Sequence, residues 1–174
     1  IYPLSLPDAL PIFFRQTSVD KEANYNFPLV CAHSIWSDKQ IIVKVPNDIS
    51  DDDYSLVLKI GDWSEIIANG SFTVNSTISL SPGLCKISPK SGPQNAPVSL
   101  WGEYFGNNPI VVFNINKSSA SVSTSTEDLA DKISATVPSG AITGPVVVKR
   151  DANSTSNSLN FLVASCSSNN DCDS

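Results

Sequence analysis

Residues 54–60 alternate strictly, with Tyr54, Leu56, Leu58 and Ile60 on one side and Ser55, Val57 and Lys59 on the other. Ile133, Ala135 and Val137 alternate in the same way with Ser134 and Thr136. A period of two with one apolar face predicts antiparallel strands packed on a second sheet. Residues 41–45, 71–74, 98–101, 110–113, 146–149 and 159–163 form further short β-branched or alternating runs. Prolines, glycines and Asn/Asp/Ser clusters separate them, which is the pattern of an all-β sandwich. Only residues 126–131 read as helical, and that stretch is too short to change the class.

The pattern also repeats. Residues 41–46 (IIVKVP) correspond to residues 133–138 (ISATVP), and each Val-Pro leads through a turn, a strand and a polar loop to a closing Phe-x-Val. The closers start at Phe72 and Phe161, so Val-Pro recurs after 92 residues and Phe after 89. That period is one small sandwich domain. Pro46 and Pro138 remove a ladder donor and end strand pairing.

The sequence Lys86-Ile-Ser-Pro89-Lys-Ser-Gly92-Pro93, followed by Gly102-Glu-Tyr-Phe105, resembles the opening of an IPT/TIG domain. Val111-Val-Phe113, residues 133–138, Gly144-Pro-Val and Ser158-Leu-Asn-Phe161 continue the likeness through residues 84–164. The resemblance implies an immunoglobulin-like β-sandwich with no enzymatic centre, one complete copy being preceded by a partial one at 13–76. Residues 77–83 are then a linker. In this scheme Pro89 ends a strand, Gly92 and Pro93 make a tight turn, Gly102 permits a bulge or bend after the second strand, and Phe105 plugs one end. Gly144 and Phe161 belong to the same packing framework.

Both ends of the chain differ in character from its middle. Residues 1–12 carry prolines at 3, 7 and 11, and residues 4–12 (LSLPDALPI) resemble a translated sequencing adapter. With no methionine in the chain, that segment is expected to be non-native. Cys166-x5-Cys172 in residues 165–174 resembles the start of an EGF-like module, or belongs to a linker with a local disulfide. Cys31 and Cys85 pair with each other or with residues elsewhere. The cysteines favour an oxidising compartment.

The chain has 174 residues, a net charge of −6 and 41% apolar residues, enough for a core. Only 16% are charged, while Ser, Thr and Asn together make 51, a balance that suits a secreted or cell-surface β protein. So acidic a chain is a poor partner for nucleic acid, which counts against the dimerisation half of a transcription factor.

Little chemistry is expected. His33 lies beside Cys31, too few ligands for zinc. Asp51, Asp52 and Asp53 make an acidic run that lacks the spacing of a calcium loop and reads as a solvated turn. Asn69, Asn75, Asn116 and Asn153 head Asn-x-Ser/Thr sequons, candidates for glycosylation if the chain enters the secretory pathway. Trp36, Trp63 and Trp101 could each anchor a partner, although packing is the default for all three. Trp101, beside core Leu100, has the parity of an outward residue, and Trp63 at a hairpin tip is the best candidate partner contact. No cofactor, metal or catalytic set is expected. The function this implies is non-catalytic protein–protein recognition outside the cell, in an adhesion or signalling receptor. The alternative is an accessory module of a secreted polysaccharide-acting enzyme.

Overall fold

A computed structural model describes residues 11–32, 34–37, 40–60, 64–119, 122–127 and 129–164. Trp63, Cys166, Cys172, His33 and residues 1–10 of the adapter-like segment lie outside them. Apart from single 3-10 turns at Leu29–Cys31 and Asn114–Asn116, the regular structure of the described residues is all strand. The chain divides into two compact units, one of residues 1–26 and 43–79, the other of residues 27–42 and 80–174.

The described strands of the first unit form one five-stranded sheet. β1 (Ile12–Gln16) lies between β2 (Val19–Glu22) and β3 (Asp52–Lys59), and β3 also pairs with β4 (Glu65–Ile67) and β5 (Phe72–Val74). β1 thus begins with Ile12, a buried residue at the end of the adapter-like segment. On one face Phe14 stands edge-on to Tyr54 and Phe72, at centroid separations of 6.4 and 5.4 Å. Phe72 is nevertheless 39% exposed, unlike its counterpart Phe161 at 1%.

The other face departs from simple alternation. Val57, placed by the pattern on the polar side, is fully buried. Phe13 stands opposite it in the ladder, and Lys59 lays its ammonium 4.3 Å from the centre of the Phe13 ring. Around them Arg15 Nε donates to Asp20 Oδ1 at 2.6 Å, Arg15 Nη1 donates to Glu65 Oε2 at 2.6 Å, and Lys59 Nζ lies 2.9 Å from Asp20 Oδ2. Long cationic stems therefore roof an apolar residue while their heads stay wet.

The hydrogen bond from Arg15, with that from Lys59 behind it, holds the Asp20 carboxyl well below the usual carboxylate range against the opposing effect of burial. A group depressed in the folded state contributes stability above its ordinary pKa of 3.8 and loses it as pH falls toward the folded value. Asp20→Asn is expected to destabilise the first unit by about 1 kcal/mol at neutral pH. It should also flatten the fall in stability below about pH 4. Urea unfolding at stepped pH checks both; an unchanged acid limb would show that the network contributes nothing.

In the second unit β6 (Gly83–Ser88), β8 (Pro97–Glu103), β12 (Ala130–Thr136) and β11 (Val122–Glu127) form one sheet in the order β11-β12-β8-β6. The facing sheet has the order β10-β9-β13-β14-β7, from β7 (Ser91–Gly92), β9 (Ile110–Phe113), β10 (Lys117–Ser118), β13 (Gly144–Lys149) and β14 (Leu159–Val163). Lettered A, A′, B, C, C′, D, E, F and G in chain order, these are sheets DEBA and C′CFGA′, an immunoglobulin-like sandwich. β7 pairs with β14 in parallel, so the chain leaves the first sheet after β6 and joins the edge of the second.

Between the sheets lie Leu84, Leu100, Phe105, Phe113, Ile133, Val137, Val146, Val148 and Phe161, all at most 1% exposed. Phe113 meets Phe161 edge-on at 5.7 Å. Ile133, Ala135 and Val137 point inward, as their alternation requires.

Several expectations are corrected in detail. Residues 41–45 form no strand, only isolated bridges from Ile41 to Trp36 and from Lys44 to Asn24. The apolar run crosses from one unit to the other between Ile42 and Val43, so no single ladder holds it. Residues 126–127 and 130–131 lie in β11 and β12 and pair antiparallel, with Leu129 at φ +65° before β12. The bulge expected at Gly102 lies on the neighbouring strand, between Leu84 and Lys86, and Gly102 itself pairs with Leu84 and Asp131 inside β8. Residues 27–42, read as part of the first copy, belong to the second unit.

Candidate functional site

Residues 27–42 reach the second unit because their apolar side chains have a surface to cover. Strand alternation turns Leu100 inward, so Trp101 projects from the opposite face of β8. Cys31, Ile35, Cys85, Trp101 and Ala130 form a second buried cluster, with Phe27, Val30, Trp36 and Ile42 packed against it. Cys31 and Cys85 form a disulfide with Cα atoms 5.5 Å apart. Trp101 is only 7% exposed under this cover, and the ammonium groups of Lys86 and Lys132 lie 4.9 and 5.3 Å from the centre of its ring. A hydrogen bond from Lys132 is the main reason that the Glu127 carboxyl sits below its usual range.

Beyond this cluster the same segment borders a cleft of about 470 Å³, within the range of small-ligand sites. One wall is Ser34, Ser37 and Gln40; a second is Lys86, Ile87 and Lys90; the third is Ser158, Leu159 and Asn160 on the approach to and start of β14. Gln40 sets the width, since its Nε2 donates to the Ser158 carbonyl at 2.9 Å and its backbone N–H donates to Ser37 Oγ at 3.0 Å. The lining is hydroxyl, amide and ammonium over the apolar Ile87 and Leu159, with no carboxylate among its described residues. A smaller hollow of about 160 Å³ involves Asp131 and Lys132, both already engaged, by the Phe105 N–H and by Glu127 respectively.

The framework residues singled out in the sequence sit away from chemistry. Phe105 and Phe161 are core. Pro46 and Gly92 are buried, Pro93 and Pro138 half-buried, and Pro89 follows a cis peptide bond at the end of β6. Gly102 is squeezed, since a Cβ there would stand 1.9 Å from the Gly83 carbonyl oxygen. Gly144 at φ +156° is similarly close to the Asn114 side chain.

Asp51, Asp52 and Asp53 do not converge on a site. Asp51 accepts from the Ser76 N–H and hydroxyl at 2.7 and 2.9 Å, Asp52 from Gln16, and Asp53 from Thr73. They tie β3 to its neighbours, and no group of three or more potential metal ligands occurs among the described residues. Asn69, Asn75, Asn116 and Asn153 are exposed. Trp63, the candidate partner contact, lies outside the described residues. The cleft residues Ser34, Gln40, Lys90, Ser158 and Asn160 were not singled out from the sequence. They come from three distant stretches, and the cysteines at 31 and 85 are the one signal that two of those stretches meet.

No family model matches the chain, and no curated protein does. Among solved structures, the chain is similar to one determined with a xylogluco-oligosaccharide, at 15% identity and a TM-score of 0.40, covering 88% of this chain and 34% of that one. It is likewise similar to a surface glycan-binding protein of Prevotella bryantii, at 20% identity and a TM-score of 0.36, covering 90% of this chain and 33% of the other. A third is a Bacteroides ovatus protein of a mixed-linkage glucan utilization locus, solved with a mixed-linkage heptasaccharide, at 15% identity and a TM-score of 0.40, covering 90% and 37%. The chain thus spans 33–37% of the length of these three. Likeness this slight assigns neither family nor ligand.

Proposed function

We propose that the chain is a non-catalytic, extracellular binding module and that its ligand is a glycan segment seated in the cleft of the second unit. The observation that carries this reading is the cleft lining. It is dense in hydroxyl, amide and ammonium groups, the partners a polyhydroxylated ligand needs, and Leu159 offers an apolar strip for a sugar face. The side chains of Ser34, Lys90 and Asn160 make no hydrogen bond or ion pair with other described residues, so they meet a ligand without breaking internal contacts.

Binding is favoured over turnover by the same lining. Glycosidic hydrolysis uses two carboxyl groups roughly 5 to 10 Å apart across the bond, and the described lining supplies none. We place residues 84–164 with the IPT/TIG domains on their motifs; the nine-stranded immunoglobulin-like order supports that placement.

Affinity electrophoresis in gels containing neutral or acidic polysaccharides tests the reading. Retardation by at least one polysaccharide is expected, weakened about fivefold by Asn160→Ala, the loss of one neutral hydrogen-bonding group. Migration unaffected across the whole panel would overturn it. Protein recognition, the expectation raised by the resemblance, would then be preferred. Its support is the first unit's sheet, where Ile66 and Phe72 are 54% and 39% exposed.

A further inference from the structure

We infer that the cleft takes an anionic glycan, whose carboxylate or sulfate groups are met by Lys86 and Lys90. This rests on the glycan reading above and specifies its ligand. The chain carries a net charge of −6, yet the described lining of this cleft has two ammonium groups and no acid. Elsewhere Arg15, Lys21, Lys59, Lys132 and Arg150 are each paired with a carboxylate within 4 Å. Lys86 and Lys90 are not, nor are Lys117 and Lys149 outside the cleft; Lys86 rests against the Trp101 ring with its charge acting on Glu127, and the Lys90 side chain makes no hydrogen bond or ion pair with another described residue.

The placement of these two lysines follows from the fold. Lys86 is the first outward residue after the bulge in β6, and its stem is held by the tryptophan. Lys90 follows at the bend beyond β6, so both lysines line the cleft together with Ser34, Ser37 and Gln40. A neutral sugar needs hydrogen-bonding groups but gains nothing from a paired concentration of positive charge. An anionic substituent gains charge-assisted hydrogen bonds, roughly twice as strong as neutral ones. The acidic remainder of the chain repels other polyanions and so confines them to this cleft.

The test uses the intact chain in affinity gels containing polygalacturonate (carboxylate), a sulfated galactan (sulfate), neutral galactan or polyglutamate. The expected result is retardation by polygalacturonate, the sulfated galactan or both, with the stronger of the two identifying the anion. Retention should fall about tenfold when salt is raised to roughly 0.5 M. Lys86→Gln with Lys90→Gln should also lower it about tenfold, with the circular dichroism spectrum unchanged. Lys117→Gln, an exposed charge outside the lining, should leave it as it was. Retention by neutral galactan equal to that by the acidic polymers would overturn the anionic assignment and leave the glycan reading standing. Equal retention by polyglutamate, or retention indifferent to the double substitution, would also overturn the assignment. No retention by any polysaccharide would remove both.

Discussion

Replacing Cys31 and Cys85 together by alanine is expected to destabilise the second unit by about 4 kcal/mol when the whole enclosed loop unfolds. The bond joins residues 54 apart in sequence. A crosslink of that span removes much of the chain's freedom in the unfolded state, which is where most of the effect arises in the loop-entropy account. The folded state loses something too, because residues 27–42 would then be held on the second unit by the cluster around Ile35 and Trp101 and by the Gln40 hydrogen bond to the Ser158 carbonyl. Release of that segment would expose Trp101 and carry Ser34, Ser37 and Gln40 away from the cleft. Guanidinium unfolding followed by tryptophan emission should therefore show a lower midpoint and a red-shifted native spectrum. Polysaccharide retention should fall in parallel. A midpoint within error of the disulfide-bonded chain would show that side-chain packing alone holds the segment.

Gly102→Ala is expected to cost about 3 kcal/mol, the upper end of ordinary overpacking, and to lower Tm by more than about 10 °C. A Cβ at this position would stand 1.9 Å from the Gly83 carbonyl oxygen and 2.5 Å from Cζ of Phe105. The Phe105 ring is core and has little room to withdraw, and the carbonyl belongs to the strand that β8 pairs with. Relief therefore requires separating two paired strands. Gly83→Ala is the matched control, because a Cβ there meets nothing within 4 Å. Thermal unfolding of the two variants should differ strongly; similar midpoints would show that β6 shifts at no cost.

The parts of the fold legible in the sequence are those where local pattern and burial agree. Ile133, Ala135 and Val137 face the core because a strand buried on one side sorts its residues by period two. Phe161 likewise ends as core. The rule fails where other elements supply the cover. Val57 has the parity of a solvent-facing residue, yet it is fully buried, with Phe13 opposite it in the ladder. Residues 41–45 have the composition of a strand, but their two ends belong to different units. β11, Val-Ser-Thr-Ser-Thr-Glu, has almost no apolar pattern and is a strand because β12 offers it a complete ladder.

From its sequence alone, then, this chain was bound to be an all-β protein with an immunoglobulin-like sandwich in its second half. Alternation, turn residues and the Ser-Pro and Gly-x-x-Phe motifs act over a few neighbours and are written in order. The cleft could be decided only by the tertiary structure. Its walls come from Ser34, Ser37 and Gln40, from residues 85–90 and from residues 158–160, which no spacing relates, and it exists because a disulfide and a buried tryptophan hold a distant loop over the outside of the sandwich.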